Sequence, residues 1–511
     1  MATRLERLPG GFEGLSWREP ARPAPSLVLI GCAALAVVFL AILLNPGGMP
    51  TMVAAGLACT VILASSVAYT IRHRDTVIIA VLLAEMLSSN AFVPSGASTA
   101  IRYSMNALFC LPLIPSLWRS GVMGQGGFRL LAVYFGWCLV TVAWSLAPVY
   151  SLGRAFSSML LVAGLIALAL DVSSGDDVTR LIGRFLVGCA LVVAIQAAAA
   201  LVLPHSITFA SPEMLDANGM PIPGTTSESS GGIARFVGIF TQPNQVGALA
   251  IVTVGMSLAC WRRVGQGRRI ILAALALVAL ALGVLADSRS ALGATAFGIV
   301  VFLLWKYRWR GAFAVGALAV VSAIALSLAV KDIGAYVGRG DVSTLTGRTD
   351  VWQYSIEQIK ESPILGYGYE VEGQIYQLRY FPLWWGPWDE GPRSSLHNNY
   401  ISHMIGVGIP AFLLWLFIML RPWFVLFRRK DDPWDLKPIA LLVILPLLIL
   451  NFAESGAGDC HYATGVAFVL CWAVAERARL LRSEDEQSER KRRMEAMSPV
   501  AAAIASCASG A

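Results

Sequence analysis

Residues 268–307 read RRIILAALALVALALGVLADSRSALGATAFGIVVFLLWKY. Two apolar runs, near 270–286 and 289–305, stand back to back, divided only by Asp287-Ser288-Arg289-Ser290 and bounded by basic residues at both outer ends. Each run approaches the roughly 20 residues that a helix needs to cross hydrocarbon. The polar break between them is so short that it holds only a tight turn at a membrane surface. The stretch therefore reads as a transmembrane helical hairpin, since in lipid a spanning segment must satisfy its backbone polar groups internally.

Such runs recur from Ser26 to Glu476. The mean hydropathy is +0.65 and 14% of residues are charged, against roughly 25% in a soluble domain. That leaves too little polar surface for a water-exposed globule and too much apolar content for disorder. The expected fold class is all-α, a polytopic membrane bundle of about 12–14 helices with a large external loop that contains a surface helix. Spans are expected near 26–44, 51–71, 76–93, 101–118, 129–147, 152–170, 181–203, 244–261, 270–286, 289–305, 312–330, 400–420, 437–451 and 461–476. A basic leader (1–25) precedes the first group of spans (26–203). An external connection (204–243), a second group of spans (244–330), a long external loop (331–399), the last spans (400–476) and a charged tail (477–511) follow. The first run follows Arg4, Arg7, Arg18 and Arg22 but has no small-x-small cleavage site after it, so it is expected to remain a span.

Charge placement orients the chain. With the N-terminus in the cytoplasm, 29 of the 39 Lys and Arg fall in the leader, the alternate connections and the tail, and 10 fall on the opposite side. One missed span would swap every later loop and spoil that split, so the count supports both the topology and cytoplasmic termini. Nucleic-acid binding would need a basic face on a folded domain, whereas here the basic residues sit at the ends of apolar runs. The nine cysteines show no CxxC spacing and lie mostly inside those runs, where they read as small buried hydrophobes. Neither a metal site nor a cofactor is expected: GxxxxGK[ST], GxSxG and HExxH are absent, and the first external loop (Asn45 to Thr51) carries no carboxylate.

Within the long loop, Thr349 or Asp350 can cap a helix that runs to about Glu361, where Pro363 and the Gly366-Tyr367-Gly368-Tyr369 turn end it. Trp352, Ile356 and Ile359 recur at helical spacing, which suits either a helix lying on the membrane surface or one packed over the bundle. Three external arginines stand in separate segments: Arg235 just before a span, Arg289 in the hairpin turn, and Arg348 at the start of the surface helix. Each alone can be a solvated or headgroup-facing charge. Converging, they suit a diphosphate, because guanidinium pairs bidentately with phosphate oxygens and keeps its charge at any working pH.

His397, in Ser394-Ser-Leu-His-Asn-Asn-Tyr-Ile401, stands where the long loop enters a span. It can serve as a general base toward a hydroxyl, or it can be incidental to a helix cap made by Asn398 or Asn399. His403, in the same span, reads as a packed, hydrogen-bonded residue. Asn244, Asp287, Asn398, Glu454 and His461 are supporting candidates, the last two as alternative bases flanking the last external loop.

Five motifs in order now stand out: Arg-Phe-x-Gly-x-Phe-x-x-Pro-Asn (235–244), Asp-Ser-Arg-Ser (287–290), Thr-Gly-Arg-Thr-Asp-x-Trp (346–352), Ser-Pro-Ile-Leu-Gly-Tyr-Gly (362–368) and His-Asn-Asn-Tyr-Ile (397–401). Together they resemble the O-antigen ligase and Wzy-type polysaccharide polymerase superfamily, exopolysaccharide polymerases included, over about residues 230–420. The resemblance implies metal-independent, inverting glycosyl transfer on the periplasmic face of the bacterial inner membrane, from an undecaprenyl-diphosphate-linked glycan. On that reading 331–399 is a periplasmic catalytic loop. Arg235, Arg289 and Arg348 hold the departing diphosphate, and His397 deprotonates the acceptor hydroxyl. The acceptor is another lipid-linked repeat unit in a polymerase and lipid A core in a ligase. The chain length and the aromatic stretch Tyr380 to Trp388 favour the polymerase. A flippase and a chain-length regulator would be the partner proteins. A lipid-glycan flippase is the rival from another class, and it would need ionisable residues along a path through the spans, where the sequence offers little beyond Glu85. A scaffold subunit is the third reading, and it leaves the external arginines without a purpose.

Overall fold

A computed structural model of the chain describes residues 73–87, 95–203, 209–210, 235–240, 242–308, 348–375, 396–428, 434–454 and 462–509. The leader, the expected spans near 26–44, 51–71 and 312–330, the aromatic stretch 380–388 and His461 lie outside them. Asp75–Ala511 forms one compact unit.

The unit is a helix bundle. Its helices are α1 (Val77–Leu87), α2 (Ser95–Cys110), α3 (Ile114–Ser120), α4 (Gly126–Val140), α5 (Pro148–Leu170), α6 (Gly175–Val202) and α7 (Pro243–Cys260). They continue with α8 (Gln266–Leu285), α9 (Arg289–Tyr307), α10 (Arg348–Glu361), α11 (Asn399–Phe427), α12 (Lys437–Leu450) and α13 (Tyr462–Ser509). Among the described residues the only sheet is a two-stranded antiparallel ladder, β1 (Phe209–Ala210) against β2 (Arg235–Phe236). Among the described residues seven helices are long and apolar enough to cross a membrane: α4 with its 3₁₀ extension to Trp144, then α5 to α9, and α11. An all-α polytopic membrane bundle is therefore the architecture.

Burial separates inner helices from outer ones. The apolar windows of α7 and α5 are 72% and 67% buried, while those of α8 and α9 are 22% buried each. The hairpin quoted at the outset is thus a peripheral element that presents most of its surface to lipid. Lipid tails are as apolar as leucine, so helices associate through close packing and polar contacts instead. Gly247 shows this where α7 meets the hairpin turn: a Cβ there would sit 2.2 Å from Ser288 Oγ.

Several elements depart from the expected limits for local reasons. The span expected over 101–118 is broken by a 3₁₀ turn at Leu111–Leu113, because Pro112 and Pro115 cannot continue the helical hydrogen bonding. Thr349 and Asp350 lie inside α10, which already includes Arg348, so neither caps it. α12 contains a π-turn at Ala440–Ile444, and α13 runs unbroken from its span into the charged tail as far as Ser509.

α11 breaks at Gly408 (φ 80°, ψ 163°), just before Pro410. The break strands backbone groups that apolar surroundings will not solvate. The strap that follows α10 supplies their partners: Tyr367 N donates to Ile405 O (3.0 Å), Gly368 N to Gly406 O (2.9 Å), and Ile409 N to Pro363 O (2.8 Å). Trp137 Nε1 takes Val407 O at 2.9 Å. The fit requires glycine at the break, since a Cβ on Gly408 would lie 2.0 Å from Ile364 O. α10 itself packs Trp352, Tyr354 and Ile359 with Val371, Ile375, Leu396 and Ile405, and leaves Ile356 exposed. Packing over the bundle is therefore realised.

Candidate functional site

The α8–α9 turn is as tight as its sequence demands, and it places Asp287 in a left-handed conformation (φ 46°). Arg235, on β2, clasps it from outside. Arg235 Nε donates to Ala286 O (3.0 Å), and Nη2 donates to Asp287 O (3.1 Å) and to Asn244 Oδ1 (2.9 Å). All the protons on those two nitrogens are engaged, so Arg235 fixes the turn as well as bringing charge to it. Arg289 opens α9 with its side chain 41% exposed, and its Nε lies 3.5 Å from Asp287 Oδ1. Of Arg348 only the backbone position is described, at the start of α10.

From Asn244 the network continues inward. Asn244 Nδ2 donates to Glu454 Oε1 (2.7 Å), and Glu454 Oε2 meets His397 Nδ1 at 3.0 Å. A continuous chain, Arg235–Asn244–Glu454–His397, thus joins the hairpin turn to the start of α11. Glu454 is 8% exposed, so the imidazole of His397 meets a carboxylate that is largely withdrawn from water. His397 holds φ 48°, a conformation that a non-glycine residue adopts only when its surroundings impose it.

Those surroundings are visible. Asn398 caps α11, its side chain accepting from Ile401 N at 3.1 Å. Asn399 N donates to Asn451 O (2.8 Å), and Tyr400 OH donates to Leu448 O (2.7 Å), pinning the start of α11 to the end of α12. Asn398 therefore caps as one reading of the motif had it, and His397 is nonetheless paired with Glu454. His403 is packed, its ring 4.2 Å from that of Trp415 and tilted 36° to it, and it is bonded to Tyr134 OH at 3.0 Å.

One polar group on the strap escaped the sequence reading. Glu370 forms a buried ion pair with Arg154 of α5, and burial together with the nearby Glu370 carboxylate pushes the Glu372 carboxyl up to about 7. The sequence signal, Glu-Val-Glu directly after Gly-Tyr-Gly-Tyr, is visible only in hindsight, because the partner of Glu370 is 216 residues away. Glu85 of α1 is engaged on Asn106 Nδ2 (2.6 Å) and Tyr462 N (3.3 Å), so this intramembrane carboxylate fastens α1 to α2 and to the start of α13.

Residues 273–416 match the family Wzy_C, described as O-antigen ligase. That segment holds Asp287, Arg289, Arg348 and His397. The resemblance to the O-antigen ligase and Wzy-type polymerase superfamily holds. The chain is also 26% identical over 364 residues to the exopolysaccharide production protein ExoQ of Rhizobium meliloti (strain 1021), an alignment covering 67% of this chain and 75% of that protein. Glycosyltransferase-like polymerases and ligases are what this superfamily suggests, and a multi-pass membrane protein is what seven apolar spans and the O-antigen ligase match describe.

Proposed function

We propose that the chain transfers a glycan from an undecaprenyl-diphosphate carrier to a sugar hydroxyl at the periplasmic face of the inner membrane, polymerising repeat units of an exopolysaccharide or O-antigen. The observation that carries this reading is the hydrogen-bonded chain from Arg235 through Asn244 and Glu454 to His397, with Arg289 beside it. It sets cations for a leaving group and a base for a nucleophile at one end of the bundle.

In the reaction His397 Nε2 takes the proton from the acceptor hydroxyl while Glu454 stabilises the imidazolium that forms. The acceptor oxygen attacks the anomeric carbon from the face opposite the diphosphate, which inverts the configuration as the C–O bond to phosphate breaks. The diphosphate gains negative charge as it departs. Arg289, which the hairpin pins at the interface, meets that charge with a bidentate fork, and Arg235 and Arg348 add to the field. Arginine charges do here what a divalent cation does in other transferases, so the reaction needs no metal.

Support for polymerisation comes from the likeness to a protein named for exopolysaccharide production; the family match is to O-antigen ligases, for which lipid A core would be the acceptor. The test is transfer by the purified chain from a lipid-linked donor in EDTA, with each acceptor class supplied in turn. Sustained transfer to lipid-linked repeat units is expected. Activity lost in EDTA and restored by Mg²⁺ or Mn²⁺ would overturn the metal-free mechanism, and transfer to lipid A core alone would make the chain a ligase.

A further inference from the structure

The strap between α10 and α11 carries polar side chains that the transfer chemistry does not use. Its hydrogen bonds to Ile405 and Gly406 lay it along the first turns of α11. Just beyond, Glu372 lies near the Glu370 carboxylate and Arg154, beside the Ser402 hydroxyl. Ser402 stands in the first turn of α11, its N–H on Asn398 O at 3.0 Å, five residues after His397.

Gln374 is 2% exposed, yet neither its Oε1 nor its Nε2 has a hydrogen-bond partner among the described residues. Glu372 Oε2 is likewise buried and without a hydrogen-bond partner among the described residues, although the residue as a whole is only half-buried. A buried polar group left unpaired is destabilising, and three such atoms fall within three residues. An amide both donates and accepts, and so does a carboxyl held near neutrality by burial. Sugar hydroxyls do the same. A phosphate fits poorly here, because two carboxylates flank the place and the nearest guanidinium, Arg154, is already paired with Glu370. The diphosphate of a donor belongs instead at Arg289.

We propose that Glu372 and Gln374, with Ser402, form a subsite for a neutral saccharide, the part of the acceptor glycan that lies next to the hydroxyl facing His397. The identity of this ligand rests on the transfer reading above. Charge is then divided across the site, with arginines for the diphosphate and a carboxyl and an amide for the acceptor sugar.

The experiment measures binding without turnover, using the full-length chain in detergent. The probes are oligosaccharides released by partial hydrolysis of the polysaccharide made by the source strain and, separately, the lipid-linked donor. Gln374→Leu and Glu372→Ala are each expected to weaken oligosaccharide binding about tenfold or more, the loss of a buried polar contact, with donor affinity kept within about twofold. Replacing an unpartnered buried amide by an apolar group of similar size should also leave the melting temperature of Gln374→Leu at or above that of the wild type. A clearly lower melting temperature would mean that the amide is bonded inside the unliganded protein, and would overturn the proposal. So would unchanged oligosaccharide affinity in both variants. Wild-type protein that binds neither probe would remove the transfer reading itself, whereas donor transfer with no effect of either variant removes only the subsite.

Discussion

Both ends of the bundle bury a glutamate, and the two are furnished differently. At one end Glu476, its side chain 1% exposed, accepts from Arg421 Nε (2.5 Å), from Arg479 Nε (3.0 Å) and from the backbone of Gly127 (3.3 Å). At the other end Glu454 accepts from the amide of Asn244 and meets the imidazole of His397. Two guanidiniums and a peptide N–H leave the first carboxylate with partners that never change protonation, so the arrangement is a fastener joining α4, α11 and α13. An imidazole can gain and lose a proton near neutral pH, so the second arrangement can do chemistry. The same residue type, buried at both ends, suits structure at one and, on the proposed function, reaction at the other, according to whether its partners titrate.

The sharpest way to break this comparison is to invert the molecule. A reporter active only in the periplasm, fused after Gly373, is expected to be on, and one fused after Arg428 to be off. The reverse pattern would put the His397 end in the cytoplasm and end the comparison in its present form. Next in size, His397→Ala should lower transfer by about 10²–10⁴-fold, the loss typical of a missing general base, while donor binding and melting temperature hold. Glu476→Gln should do the opposite. Uncompensated Arg421 and Arg479 make it destabilising by something like the 3–5 kcal/mol of a broken buried pair, with turnover per folded molecule little changed. If both variants lost transfer and stability alike, the two glutamates would have one role.

A smaller effect is expected of Arg289→Lys, which keeps the charge and loses the fork: a fall in turnover of roughly 10–100-fold, with KM for the donor moved less. An equal loss in both constants would assign Arg289 to ground-state binding alone. The smallest effect concerns Glu372, whose carboxyl sits at about 7 instead of the usual 4.5. An acid with a raised folded-state pKa favours folding most below 4.5, and that contribution fades as pH rises through 7. Glu372→Gln should therefore melt progressively later than the wild type as pH is raised from 5 to 8, by a few degrees at most. A gap that does not change with pH would mean that Glu372 titrates as an exposed carboxylate.

Much of the fold was legible because membrane helices are written locally. The turn at Asp287, the helix ending at Glu361 and the packed state of His403 each follow from a few neighbouring residues. The break at Pro112 is equally local, and a continuous apolar run masks it. The candidate site was named residue by residue in the sequence, but its connections were not legible there. Arg235 and Asn244 are nine residues apart in one motif, but that the arginine clasps Ala286 and Asp287 depends on how β2 meets the hairpin. The pair of His397 with Glu454 spans 57 residues, and that of Arg154 with Glu370 spans 216.

Hydropathy, summed along the chain, thus pointed to a multi-pass membrane protein, because the bilayer reads each segment separately by length and apolarity. Which glutamate met an imidazole and which met two guanidiniums was decided only when the helices packed. Those contacts depend on the angle, depth and register of one helix against another, on a glycine at Gly408 that lets α11 break and on the strap that fills the break, and no single segment encodes them.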